Sequence, residues 1–175
     1  YLIEEDGRVF QLVPEAQRAW HAGVSYWRGH KSLNARSIGI ELVNPGHDFG
    51  YRPFPELQML ALETLALDIL ARHSIPPRNV VGHSDIAPTR KNDPGELFDW
   101  RSLAAKGIGM WPERAANGPY NVMDALETVG YETLDYARAL AAFQRHFRPV
   151  EIQGVSDPDT LCWLQGTVEL VEKMG

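Results

Sequence analysis

Residues 80–95 read Val-Val-Gly-His-Ser-Asp-Ile-Ala-Pro-Thr-Arg-Lys-Asn-Asp-Pro-Gly. This stretch holds a histidine, a lysine and an aspartate whose types could do chemistry together. The imidazole of His83 and the carboxylate of Asp93 are both zinc donors, and a hydrolytic zinc site uses three protein donors with one position left for water. The ammonium of Lys91 could neutralise an oxyanion beside such a site. Glu41 interrupts the apolar run Ile-Gly-Ile-Glu-Leu-Val of residues 38–43, and an unpaired carboxylate is costly to bury. It is therefore either a working group or a residue of the solvated face. The structural alternatives stay open at this point. A His and an Asp ten apart form a weak pattern; His83 could cap a helix or fill a core, Asp93 could cap the turn at Pro94 and Gly95, and a lysine in a polar loop is ordinarily solvated.

Several elements must position these groups. The first residues predict two strands joined by a tight turn at Asp6 and Gly7. Residues 37–43 and 79–82 are strand-like, the second ending at His83. Residues 55–73 predict a helix, with Leu57, Leu60, Thr64, Leu65, Leu67 and Ile69 on broadly helical spacing, stopped by Pro76 and Pro77. Residues 99–106 predict a short helix ended by Gly107. Mixed strands and helices imply an α/β fold, a mixed central sheet flanked by helices, over residues 1–112. Residues 113–119 are turn-rich and read as a linker. Residues 120–175 predict a small three-helix domain: 120–129 closed by Gly130, 133–147, and a third helix opened by Asp157 and Pro158.

The chain has 175 residues, 23 acidic against 17 basic, and a formal net charge of -6. An acidic balance speaks against nucleic acid as a partner. No apolar run reaches transmembrane length. Cys162 is the single cysteine, so no intrachain disulfide can form. The sequence opens without Met and in mid-strand, so residues preceding Tyr1, with any export signal, are expected.

Three stretches carry a resemblance: Ala-Trp-His-Ala-Gly at 19–23, Leu-Asn-Ala-Arg-Ser-Ile-Gly-Ile-Glu-Leu-Val-Asn at 33–44, and Gly-His-Ser-Asp-Ile-Ala-Pro-Thr-Arg-Lys-Asn-Asp-Pro-Gly at 82–95. In this order they resemble the zinc-dependent N-acetylmuramoyl-L-alanine amidases of the amidase-2 type, a group related to peptidoglycan recognition proteins and phage T7 lysozyme. The C-terminal part resembles a three-helix peptidoglycan-binding domain, through Ala-Leu-Glu-Thr-Val-Gly-Tyr at 125–131, Ala-Ala-Phe-Gln-Arg-His-Phe at 141–147, and Gly154, Asp159, Thr160 and Leu161. The pairing is similar to that in envelope amidases of Gram-negative bacteria.

The resemblance implies zinc bound by His83 and Asp93, with a third ligand, a histidine, upstream of Tyr1. It implies Glu41 as the catalytic glutamate and Lys91 as the lysine beside the site. Trp20, His21, Asn34, Ala87 and Arg90 become candidate substrate-binding residues, with Trp20 and His21 as groove wall or core. Trp27, His30 and His47 are expected in surface or loop positions, and His146 packed in its helix or solvated. The implied reaction is hydrolysis of the amide joining N-acetylmuramic acid to L-alanine, in peptidoglycan or muropeptides. The implied protein is a monomer on the periplasmic side of the envelope, and a lipid anchor to the outer membrane is compatible with the upstream region. Two other classes stay open: a non-catalytic peptidoglycan-recognition protein, and a zinc peptidase acting on the stem peptide.

Overall fold

A computed structural model of the protein describes residues 1–174. Along the chain, strands β1 (Leu2–Ile3), β2 (Val9–Phe10), β3 (Tyr26–Trp27), β4 (His30–Lys31) and β5 (Glu41–Leu42) precede helices α1 (Glu56–Arg72), α2 (His83–Ile86), α3 (Trp100–Ala105), α4 (Val122–Val129), α5 (Tyr136–Phe147) and α6 (Pro158–Lys173). The fold is mixed α/β. β1 is the centre of a three-stranded sheet, antiparallel to β2 and parallel to β5, with Leu2 opposite Glu41 and Ile3 opposite Leu42. The turn from β1 to β2 needs a left-handed residue, and Gly7 supplies it at φ 86°. Parallel neighbours require a long crossover. Residues 11–40 provide it, and the hairpin of β3 and β4 lies within them.

Two predicted strands differ. Residues 37–43 contribute only Glu41 and Leu42, and residues 79–82 contribute none; a 3-10 turn over Pro77–Asn79 runs into Gly82, and His83 opens α2 rather than ending a strand. A strand exists only where a neighbour completes its hydrogen-bond ladder. β1 pairs with the segment around Glu41, through Glu41 N–H to Tyr1 O and Val43 N–H to Ile3 O. Residues 79–82 have no ladder partner among the described residues.

α1 covers its predicted span, but its buried stripe is Gln58, Leu62, Ala66 and Ile69, whereas Leu57, Leu60 and Leu67 face outward. Gln58 is fully buried, and its Nε2 donates to both Ile3 O and Val43 O, tying the helix to two strands. Ile3, Leu62, Ala66, Phe98, Trp100, Leu103 and Ile108 form the core under the sheet.

The three C-terminal helices have good caps. Asn121 accepts from the Met123 and Asp124 N–H groups, Asp135 from Arg138, and Asp157 from Asp159 and Thr160. α5 begins at Tyr136, later than the spacing predicts, because Asp135 takes the capping position. Leu126, Val129, Leu140, Phe143, Phe147 and Leu164 share one core with Ala22, Trp27 and Leu33 of the preceding part. Trp27 is thus no surface residue. It is buried, its Nε1 donates to Arg78 O, and its ring meets Tyr131 edge-on at 5.1 Å. His30 and His47 are exposed, as expected. Residues 113–119 lie against α6: Ala115 N–H donates to Cys162 O, and a Cβ on Gly166 would clash with Glu113 O.

Candidate active site

The site is assembled from two loops and one strand. Asn34, in the 3-10 turn Leu33–Ala35, is buried, and its Oδ1 accepts from the backbone N–H of His21 at 3.0 Å and of Ala22 at 2.7 Å. This clamp fixes the backbone leading into the Ala22 carbonyl. The Ala22 oxygen lies 3.2 Å from His83 Nε2 and accepts from Arg90 Nη2 at 2.9 Å. Arg90 also donates to Val24 O at 2.9 Å.

A carbonyl can only accept, so His83 Nε2 carries the proton in that contact and Nδ1 presents its lone pair when the ring is neutral. Nδ1 faces Asp93 Oδ2 at 3.0 Å. Two acceptors so close need a cation between them: a proton when His83 is imidazolium, a metal ion when it is neutral. The other end of the loop is fixed as well, because Ser84 N–H donates to Asp93 O at 2.8 Å. Gly82 permits the close approach; a Cβ there would meet Pro94 Cδ at 2.8 Å. Burial pushes the Asp93 carboxyl up, but the hydrogen bond and charge of His83, helped by Lys91, outweigh it and hold Asp93 below its ordinary value.

His21, Glu41, His83 and Asp93 line one cavity of about 690 Å³, with Ile40 and Val81 among its apolar walls. Glu41 stands on β5, opposite Leu2. His21 is half-buried above Gly39, where a Cβ would clash with its Nδ1. Desolvation lowers the His21 pKa, against the raising influence of Ser37 and Glu41, and so favours the neutral ring.

The other sequence candidates are placed differently. Lys91 lies outside the cavity lining but within electrostatic reach of Asp93. Trp20 is 78% exposed, with the Arg18 guanidinium 4.1 Å from its ring centroid. Ala87 is buried, and its carbonyl accepts from the Arg90 and Lys91 N–H groups. Asn34 Oδ1 and Arg90 Nη2 are spent on loop backbone. The sequence reading missed Asp85. It is buried beside the site, and its carboxylate meets Tyr131 and His146 of the helical part. His146 is correspondingly neither solvated nor merely packed. The local signal was an acid two residues after His83, at the third position of a helix.

His83 and Asp93 fit zinc by donor type and by the convergence of a lone pair on a carboxylate oxygen. They are two donors of the three that a catalytic site uses. Among the described residues no group of three His, Cys, Asp or Glu side chains could hold a metal, so His21 does not complete the set.

The family model described as N-acetylmuramoyl-L-alanine amidase matches residues 1–96. The N-acetylmuramoyl-L-alanine amidase AmiD of Escherichia coli K12 is 43% identical over 96% of this chain and 68% of its own length. The 1,6-anhydro-N-acetylmuramyl-L-alanine amidase AmpD of Enterobacter cloacae is 46% identical, over 59% of this chain and 54% of its own. The solved complex of E. coli AmiD with anhydro-N-acetylmuramic acid-L-Ala-D-gamma-Glu-L-Lys superposes with a TM-score of 0.82, covering 93% of this chain and 73% of that one. Pseudomonas aeruginosa AmpDh3 in complex with anhydromuramic pentapeptide gives 0.84 at 39% identity, with the same coverage. The chain belongs to the N-acetylmuramoyl-L-alanine amidase family.

Proposed function

We propose that this protein hydrolyses the amide between the lactyl carbonyl of a muramic acid and the amine of L-alanine, in muropeptides and peptidoglycan, with zinc held by His83, Asp93 and a histidine that precedes Tyr1. The observation that carries the reading is the convergence of His83 Nδ1 on Asp93 Oδ2 at 3.0 Å, with Nε2 committed to the Ala22 carbonyl. The molecules bound in the AmiD and AmpDh3 complexes support the substrate class.

When bound, zinc supplies Lewis acidity, which makes water nucleophilic at neutral pH and polarises a carbonyl. The chain's own residues do the rest. Glu41, on the cavity wall, accepts the proton of the attacking water and returns it to the departing amine of L-alanine. Lys91 neutralises negative charge near the Asp93 side of the site. Asn34 holds the Ala22 N–H and Arg90 its carbonyl, and together they keep the His83 lone pair directed at the metal position. His21 and the exposed Trp20 form the wall and rim against which the substrate lies. The helices of residues 120–175 bind the polymer and raise the local concentration of its bonds. The protein works in the cell envelope.

The test is product analysis on full-length protein with an anhydromuramyl tripeptide, before and after chelation and zinc return. Free anhydromuramic sugar plus intact tripeptide, lost on chelation and restored by zinc, is the expected result. A shortened peptide, or activity indifferent to chelation, refutes the reading.

A further inference from the structure

Asp85 is 1% exposed, yet it carries a carboxylate. Its Oδ2 accepts from Gly82 N–H at 2.7 Å and lies 2.7 Å from His146 Nδ1, and its Oδ1 accepts from the Tyr131 hydroxyl at 2.7 Å. Tyr131 follows α4, and His146 stands near the end of α5. His146 is 4% exposed and is stacked between Trp100 and Phe147, each with ring centroids 4.0 Å away. Its Nε2 is buried without a partner among the described residues, so the proton is on Nδ1 and points at Asp85. The Tyr131 ring is itself wedged between Trp27 and Phe143. Burial and the neighbouring Asp85 raise the Tyr131 hydroxyl well above its ordinary pKa, so it stays a donor.

α2 spans only His83–Ile86. A helix this short has no stability of its own, because the cost of its first turn is not recovered. Its position is therefore set by what holds it. Gly82 and Ser84, on either side of His83, are anchored to Asp85 Oδ2 and Asp93 O. A buried carboxylate that loses its donors must move toward water, since an unpaired buried charge is costly. Moving Asp85 moves α2 and, with it, His83.

We propose that Tyr131 and His146 are positioning residues of the amidase site: through Asp85, the C-terminal helices hold His83 in register with Asp93, so turnover of a small soluble substrate depends on them. This rests on the zinc-amidase reading above. The dependence is distinct from polymer binding, which such a substrate does not engage.

The experiment compares full-length Tyr131→Phe, His146→Phe and His146→Asn with Leu164→Ala, which opens a cavity in the same helical core. Five quantities are measured: kcat and KM on an anhydromuramyl tripeptide, zinc affinity by chelator competition, amide exchange at Gly82 and Ser84, and Tm. Tyr131→Phe and His146→Phe are expected to lower kcat and zinc affinity about 10-fold each, the scale of lost support behind a metal ligand. KM should stay within about twofold, and the two amides should exchange about 10-fold faster. His146→Asn keeps a donor near the Nδ1 position and should stay close to wild type. Leu164→Ala should lower Tm with kcat, zinc affinity and these amides unchanged. If Tyr131→Phe and His146→Phe lower only Tm, as Leu164→Ala does, the proposal is overturned. A wild-type protein that neither binds zinc nor cleaves the substrate overturns the proposed function instead. The clamp is then decided by exchange at Gly82 and Ser84, where unchanged protection refutes it.

Discussion

Replacing Asn34 with Ala would remove the acceptor that holds two consecutive backbone N–H groups, those of His21 and Ala22. Ala22 is 1% exposed, so its N–H cannot turn to water in place, while His21 is only half-buried. A buried donor left unpaired costs about 1–3 kcal/mol, and a half-buried one less. The expected destabilisation is about 2–4 kcal/mol, large against a typical total of about 5–15 kcal/mol but short of unfolding the chain. The loss should also reach the metal, because the Ala22 carbonyl is what His83 Nε2 meets; zinc affinity should fall about 10-fold. Asn34→Asp keeps the acceptor and should recover most of both effects. Urea denaturation reads the first quantity and chelator competition the second. If Asn34→Ala lies within about 0.5 kcal/mol of wild type, a second acceptor serves those N–H groups. If stability falls but zinc affinity and its recovery in Asn34→Asp do not follow, the chain of contacts from Asn34 to His83 is not what directs the ring.

Three further outcomes are expected. Glu41→Gln should retain zinc, measured by metal analysis of the purified protein, and lose about 10²-fold or more in kcat; near-normal turnover would make Glu41 structural. Gly82→Ala should push Pro94 away, at a cost of about 1–3 kcal/mol, and loosen zinc binding by separating Asp93 from His83; unchanged affinity in chelator competition would show that the loop gives elsewhere. Glu15 is held at about 2, below its ordinary 4.5, by hydrogen bonds from Arg72, His73 and Tyr1. A depressed carboxylate stabilises the fold above its unfolded pKa and loses that contribution as pH falls through the folded one. The stability difference between wild type and Glu15→Gln should therefore be constant above about pH 5.5 and shrink between about pH 4.5 and 2. A difference that grows on acidification in that window would contradict the assignment.

The residues whose types could do chemistry were legible in the chain itself, because donor types do not depend on folding. An imidazole and a carboxylate at the two ends of a loop rich in Pro and Gly, and a glutamate inside an apolar run, stand out without coordinates. The three motif stretches pointed to the amidase family, and the family match covers residues 1–96. Helices with strong local signals, such as those capped by Asn121 and Asp157, were equally readable, since a cap and its N–H partners lie within three residues.

What depends on a distant partner was not. Residues 79–82 have the composition of a strand but no ladder neighbour among the described residues, and the outward face of α1 carries three leucines that the spacing alone would bury. Asn34 reads as a polar loop residue until its amide oxygen is seen on the backbone of residues 21 and 22. Trp27 reads as a loop aromatic until it is found against Tyr131, more than a hundred positions along the chain. Asp85 and His146 are 61 positions apart, and each has an innocuous local reading. Only folding brings them to 2.7 Å inside a core. Propensity and pattern are properties of neighbours in sequence, whereas the pairing of a buried charge is decided by whichever donors tertiary packing brings to it.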